Sequence, residues 1–118
     1  MDRPRLHLRL SYPGLNFGPG KADLLALIAE TGSISAAGRG MNMSYKRAWS
    51  LVAEMNAAFA EPLVDLARGG AGGGGARLTE AGMRVLAHYK ALIALVAEGG
   101  SAEIDAITGM LGDMSGGK

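Results

Sequence analysis

The sequence predicts a mainly α domain with a small β-sheet. One observation is a set of helical apolar stripes with caps at their starts. A second is a strictly alternating apolar segment near the N-terminus, and the third is a glycine-rich stretch flanked by short strand-like runs. The 118 residues suit a single domain, able to remove roughly two-thirds of its unfolded surface from water.

Residues 5–12, "RLHLRLSY", place Leu6, Leu8 and Leu10 on one side and Arg5, His7 and Arg9 on the other, the period of a strand with one buried face. Pro13 and Gly14 are expected to end it. From Pro19 or Gly20 a helix is predicted through Leu24, Leu27 and Ile28, closing at Gly32, with proline in its first turn. Ser33 or Ser35 can cap a short second helix, "SISAAGRGM", whose small residues Ala36, Ala37, Gly38 and Gly40 permit close approach of another helix. Asn42 suits a left-handed connection.

Ser44 is then expected to cap "SYKRAWSLVAEMNAAF". Its apolar stripe is Tyr45, Ala48, Trp49, Val52, Met55 and Phe59, while Lys46, Arg47, Ser50 and Glu54 point elsewhere. Trp49 is read as core rather than as a platform for a base. Pro62 is expected to stop this helix, "LVDLAR" reads as a strand, and "ARL" returns antiparallel to it.

Between Arg68 and Arg77 lie six glycines and two alanines, a run unsuited to the interior of any regular element and therefore a loop. It lacks the lysine and hydroxyl of a nucleotide P-loop and the strand–turn–helix setting of a dinucleotide fingerprint, since Arg77, Leu78 and Thr79 follow it. A thin hairpin tip with a cation on each side fits better. Thr79 caps a last long helix with Glu80 in its first turn. Along that helix Val85, Tyr89, Leu92 and Val96, with Ile93 to one side, show more apolar width than a small core needs, and a partner helix would cover it. "SAEIDAITGML" can form a short amphipathic helix, and the tail after it is expected to be disordered.

A helix, a tight two-helix unit and a two-stranded hairpin together describe a winged helix-turn-helix with a long C-terminal dimerisation helix, residues 1–98, followed by an acidic tail, residues 99–118. In that arrangement the second helix of the unit enters the major groove of double-stranded DNA with its first residues at the base edges. Here these are Ser44, Tyr45, Lys46 and Arg47. Arg47 and Lys46 can donate to guanine O6 and N7 or to phosphate, and Ser44 and Tyr45 can reach the backbone. Arg39 on the preceding helix, and Arg68 and Arg77 at the base of the wing, are the phosphate candidates.

Charge and composition are compatible with this. Residues 1–90 carry 11 Lys and Arg against 7 Asp and Glu, whereas residues 91–118 carry 1 against 4, so a mildly basic body precedes an acidic tail. A nucleic-acid partner is permitted, not required. The absence of cysteine removes disulfides and thiolate metal sites. The longest apolar run, Ala91 to Ala97, is too short to span a membrane, and a cytoplasmic location is expected. His7 and His88 have no metal-ligand spacing, and no nucleophile–base pattern is evident, so neither a cofactor nor an enzymatic activity is expected.

The segments "GSISAAGRGMNMSYKRAW", "EMNAAFAEPLV" and "RGGAGGGGARLTEAG" resemble the N-terminal DNA-binding domain of the ModE-type molybdate-responsive transcriptional regulators, over roughly residues 5–95. The resemblance implies a LysR-like winged helix and a homodimer formed chiefly through its first and last helices, bound to a palindromic site. Full-length members continue into molybdate-binding domains with a Ser-Ala-Arg-Asn type motif that does not occur here, which leaves a molybdate response open. Two other readings stand beside DNA binding: a winged-helix module that docks another regulator, and a small oxyanion-binding protein using the glycine loop as an anion nest.

Overall fold

A computed structural model describes residues 3–67 and 75–112. Strands β1 (Leu10–Tyr12) and β2 (Leu15–Phe17) lead into helices α1 (Pro19–Thr31), α2 (Ile34–Gly40) and α3 (Tyr45–Ala58). Strands β3 (Val64–Ala67) and β4 (Gly75–Leu78) follow, then helices α4 (Glu80–Gly99) and α5 (Ser101–Gly109). Two separate two-stranded antiparallel sheets stand among the helices, and the fold is a winged helix-turn-helix.

The N-terminal segment departs from the expected single strand over 5–12. Only Leu10–Tyr12 is laddered, and Pro13–Gly14 turns the chain instead of ending the structure. Tyr12 pairs with Leu15, leaving a two-residue turn in which Gly14 has φ +92 and Pro13 supplies the fixed angle before it. Leu15 and Phe17 face the core and Asn16 faces out, the same period of two. Alternation does persist upstream: Leu6 and Leu8 are half-buried while Arg5, His7 and Arg9 are exposed.

α1 starts at Pro19 and closes at Gly32. The Ser33 hydroxyl accepts from the Ala36 amide to cap α2, Ser44 accepts from the Arg47 amide to cap α3, and Thr79 accepts from the Gly82 amide to cap α4. Between α2 and α3 Asn42 takes the left-handed conformation at φ 58. α3 ends at Ala58 with Phe59 extended as its C-cap, one residue short of the expected stretch, and the Asn56 side chain guides the chain beyond it. Its Oδ1 accepts from the Leu63 and Val64 amides at 2.8 and 3.1 Å, and its Nδ2 donates to the Val64 carbonyl at 3.1 Å, which draws the chain off the helix into β3.

The core lies where α1, α2 and α3 meet the strands. Leu24, Leu25, Ile28, Val52, Met55 and Leu63 are its largest fully buried side chains, each contributing about 1.5–3 kcal/mol by leaving water. At the crossing of α2 and α3 a Cβ added to Gly38 would stand 3.0 Å from the Ala48 Cβ, so the two helices meet at nearly backbone distance. A Cβ on Gly82 would run into the Leu63 carbonyl oxygen. β3 and β4 pair from Val64↔Leu78 to Ala67↔Gly75, and the Ala76 amide donates to the Gly32 carbonyl at 2.9 Å, tying the hairpin to the end of α1.

Tyr89, expected on a face between subunits, is buried in this one. Its ring meets Phe17 edge-on with centroids 5.3 Å apart, and its hydroxyl donates to the Leu8 carbonyl at 2.7 Å. Burial first, and the Asp23 carboxylate second, raise its phenol above the ordinary 10.0. Because the folded value is raised, this contribution to stability is complete below the unfolded value and is lost as pH climbs through the folded one.

Two outcomes are expected in urea unfolding. Gly82→Ala should lower stability by about 1–3 kcal/mol, since backbone rather than a flexible side chain must give way. Tyr89→Phe should cost about 1 kcal/mol at neutral pH for the lost hydrogen bond, and should flatten the decline in stability on the alkaline side.

Candidate nucleic-acid interface

The first turn of α3 is an exposed cationic feature of the fold. Ala48, Leu51, Val52 and Met55 face inward, which leaves Lys46, Ser50 and Ala53, at i, i+4 and i+7, along the middle of the outward face. Ser44, Tyr45, Lys46 and Arg47 are all exposed, and Tyr45 retains 56% of its surface. The Ser44 oxygen is occupied as a cap at 3.0 Å from the Arg47 amide, so what it has left to offer a ligand is its O–H. Among the described residues neither Lys46 nor Arg47 takes part in a salt bridge. Two unneutralised cations at the start of a helix can each donate to phosphate, or to the O6 and N7 edge of guanine.

The two sides of α3 border different neighbours. Towards the β3–β4 hairpin, Tyr45 and Trp49 line a cleft with Ser33, Ile34, Leu66 and Ala76. Their rings meet edge-on at 6.2 Å, and Trp49 is half-buried against the core. The cationic turn and the wing therefore share one groove-bearing side of the subunit. Towards the β1–β2 hairpin, Arg47 lines a second cleft with Arg9, Asn16 and Lys21.

The other phosphate candidates are placed differently. Arg39 lies on the exposed side of α2, where its Nη1 donates to the Ser35 hydroxyl at 2.9 Å. Arg77 faces its cross-strand partner Asp65, Nη2 to Oδ2 at 3.6 Å, with 79% and 59% of the two side chains exposed. So open a pair is worth at most about 1 kcal/mol, and a phosphate can displace the carboxylate. Arg68 lies outside the described residues.

On α4, Val85 and Ile93 pack partly against the core, Leu92 and Val96 are half-buried, and Tyr89 is committed inward as described. Leu95 and Met83 remain 66% and 55% exposed. An apolar groove between α4 and the N-terminal hairpin is lined by Leu10, Tyr12, Phe59, Val85 and Leu92. Sequence reasoning assigned no site role to Leu95, Met83, Ser50, Ala53, Arg9 or Asn16. The alternation of residues 5–12 did mark Arg9 as outward-facing, but only the tertiary fold brings it beside α3.

A close helix pair, an outward cationic helix start and an adjoining antiparallel wing define a winged helix-turn-helix. The chain belongs to the bacterial regulatory helix-turn-helix proteins of the lysR family, whose model matches residues 21–83. It is 48% identical over 89 residues to the molybdenum-pterin-binding protein MopB of Rhodobacter capsulatus, covering 75% of this chain and 33% of that protein. It is 45% identical over 74 residues to the DNA-binding transcriptional dual regulator ModE of Escherichia coli (strain K12), covering 63% and 28% respectively. With the molybdenum transport protein ModE of Azotobacter vinelandii it shares 45% over 69 residues, 58% of this chain and 26% of that one. The chain thus spans a third or less of the length of these relatives. The matched family is one of transcription regulators, not enzymes. No helix among the described residues is long and apolar enough to cross a membrane.

Ser44→Ala should fray the first turn of α3 and cost about 1 kcal/mol in thermal or urea unfolding, whereas Ser44→Asp should keep the cap.

Proposed function

We propose that the protein is a sequence-specific double-stranded-DNA-binding transcriptional regulator of the ModE type, acting as a homodimer on a palindromic operator and linked to molybdenum metabolism. The observation that carries the reading is the exposed pair Lys46 and Arg47, free of salt bridges among the described residues, at the capped start of α3 on the side of the subunit that also bears the wing. Arg47 is the base reader; Lys46, Arg39, Arg77 and Arg68 contact phosphate, and Ser44 and Tyr45 touch the backbone beside them. Two such helices, related by a two-fold axis, reach successive major grooves roughly 34 Å apart.

The dimer reading is supported by the apolar surface left on α4. Val85, Leu92, Ile93 and Val96 are only half covered within the subunit, and Leu95 lies open beside them. Tyr89 contributes indirectly, by holding the segment that leads into β1 against that helix. Molybdenum linkage is carried by the names of the relatives and extends to this chain as a proposal only. Location in the cytoplasm follows from the same reading.

Selection of bound sites from random duplexes, with and without molybdate, tests the function directly. A palindromic consensus supports it; recovery of no sequence above background rejects it in favour of a docking module. On the selected site, Arg47→Ala should cost about 1–3 kcal/mol and relax preference at one base position. Arg77→Ala should weaken cognate and scrambled duplexes alike and reduce the salt slope by about 0.9 for each phosphate that the side chain no longer neutralises. Equal losses on both duplexes for both variants would refute the division of roles.

A further inference from the structure

We propose that Arg9 and Lys21, beside the base-reading Arg47, form a seat for one tetrahedral oxyanion, a phosphate of the DNA backbone, on the side of the recognition helix away from the wing. The inference rests on the DNA-binding reading above and adds an interaction that no recognised motif supplies: Arg9 and Asn16 lie before residues 21–83, the part matched by the family model.

Three elements converge to build the seat. Arg9 comes from the segment leading into β1, Lys21 from the first turn of α1 and Arg47 from the first turn of α3. Together with Asn16, Gly20 and Met43 they line a cleft of about 310 Å³. Arg9 is exposed but leans onto the body of the subunit. Its Nε lies 3.5 Å from the point where a Cβ on Gly18 would stand, so the side chain is folded over the start of α1. Lys21 is held in place, its side chain only 14% exposed and its Nζ 3.6 Å from the Glu54 carboxylate. Among the described residues Glu54 is the one acid in a salt bridge with this cluster, and the first turn of α1 contains none. Three cations against one carboxylate leave net positive charge in a concavity.

Charges of like sign repel, so gathering three of them needs a compensating anion or ample water. The cleft is open on one side and shares Arg47 with the outward face of α3. An anion seated there is therefore reachable while it is still part of a duplex lying against that face. A small free anion would compete with solvent in so open a site, which favours the tethered phosphate. With the wing on the opposite flank, the recognition helix would be braced against the backbone from both sides, and phosphate contacts of this kind set register without reading sequence.

The test uses the full chain and a duplex recovered by selection, with fluorescence anisotropy over a salt series for the wild type, Arg9→Gln and Arg9→Lys. The expected result is a salt slope shallower by about 0.9 per subunit for Arg9→Gln, an unchanged base preference, and a slope near wild type for Arg9→Lys. Methylphosphonate substitution, phosphate by phosphate, should find one position per half-site that weakens the wild type and leaves Arg9→Gln unaffected. If the wild type binds and Arg9→Gln keeps both its slope and its methylphosphonate pattern, the seat is overturned alone. A wild type that binds no duplex overturns the DNA reading and the seat together. Calorimetry with molybdate and with inorganic phosphate, without DNA, separates the two anion sources. No saturable heat is expected, and saturable heat abolished by Arg9→Gln would reassign the seat to a free ion and overturn the backbone assignment.

Discussion

The near-contact of α2 with α3 is the constraint on which the other features depend. Gly38 has no side chain and Ala48 only a methyl, so the two helices can cross with almost no side chain between them. That crossing turns the inward face of α3, Ala48, Val52 and Met55, into the shared core and leaves Lys46 and Ser50 to solvent. Since a packed interior resists continuous deformation, the direction in which the cationic turn leaves the body is set by a residue that carries no charge.

Hydrogen bonds outside regular elements then place the hairpins relative to that turn. Asn56 satisfies two amides and a carbonyl at the entry to β3, and the Gly32 carbonyl accepts from Ala76 on β4. The wing is thereby fastened to the ends of α1 and α3. On the other flank, the Tyr89 hydroxyl holds the Leu8 carbonyl and brings Arg9 within reach of α1 and α3. Neutral groups do the positioning, and the cations they position at the start of α3, Lys46 and Arg47, form no salt bridge among the described residues.

Electrostatics explains why that matters. The most exposed ion pairs in the structure are weak; Arg3 with Asp105 and Arg77 with Asp65 are both largely solvated. Folding stability comes from the apolar interior and the helix caps, which leaves the surface cations available for recognition. A polyanion gains from such a surface because every neutralised phosphate releases condensed counterions.

Much of this was legible in the residues. Ser33, Ser44 and Thr79 announced their helices because a side-chain oxygen three residues before an amide is a local interaction, and Asn42 announced the turn between α2 and α3 for the same reason. The exposed Ser44–Arg47 turn followed from the Ser44 cap and the apolar stripe behind it, and the paired strands of the wing from Pro62 and the glycine loop. What the tertiary structure decided was non-local. The hairpin at Pro13–Gly14 folds the N-terminal segment back, Asn56 ties the chain after α3 into β3, and Tyr89 turns inward. Apolar spacing says which residues share a face of a helix, but only packing says which neighbour that face meets. For Tyr89 the neighbour was Phe17 of the same chain, and for Arg47 it was Arg9, 38 positions away.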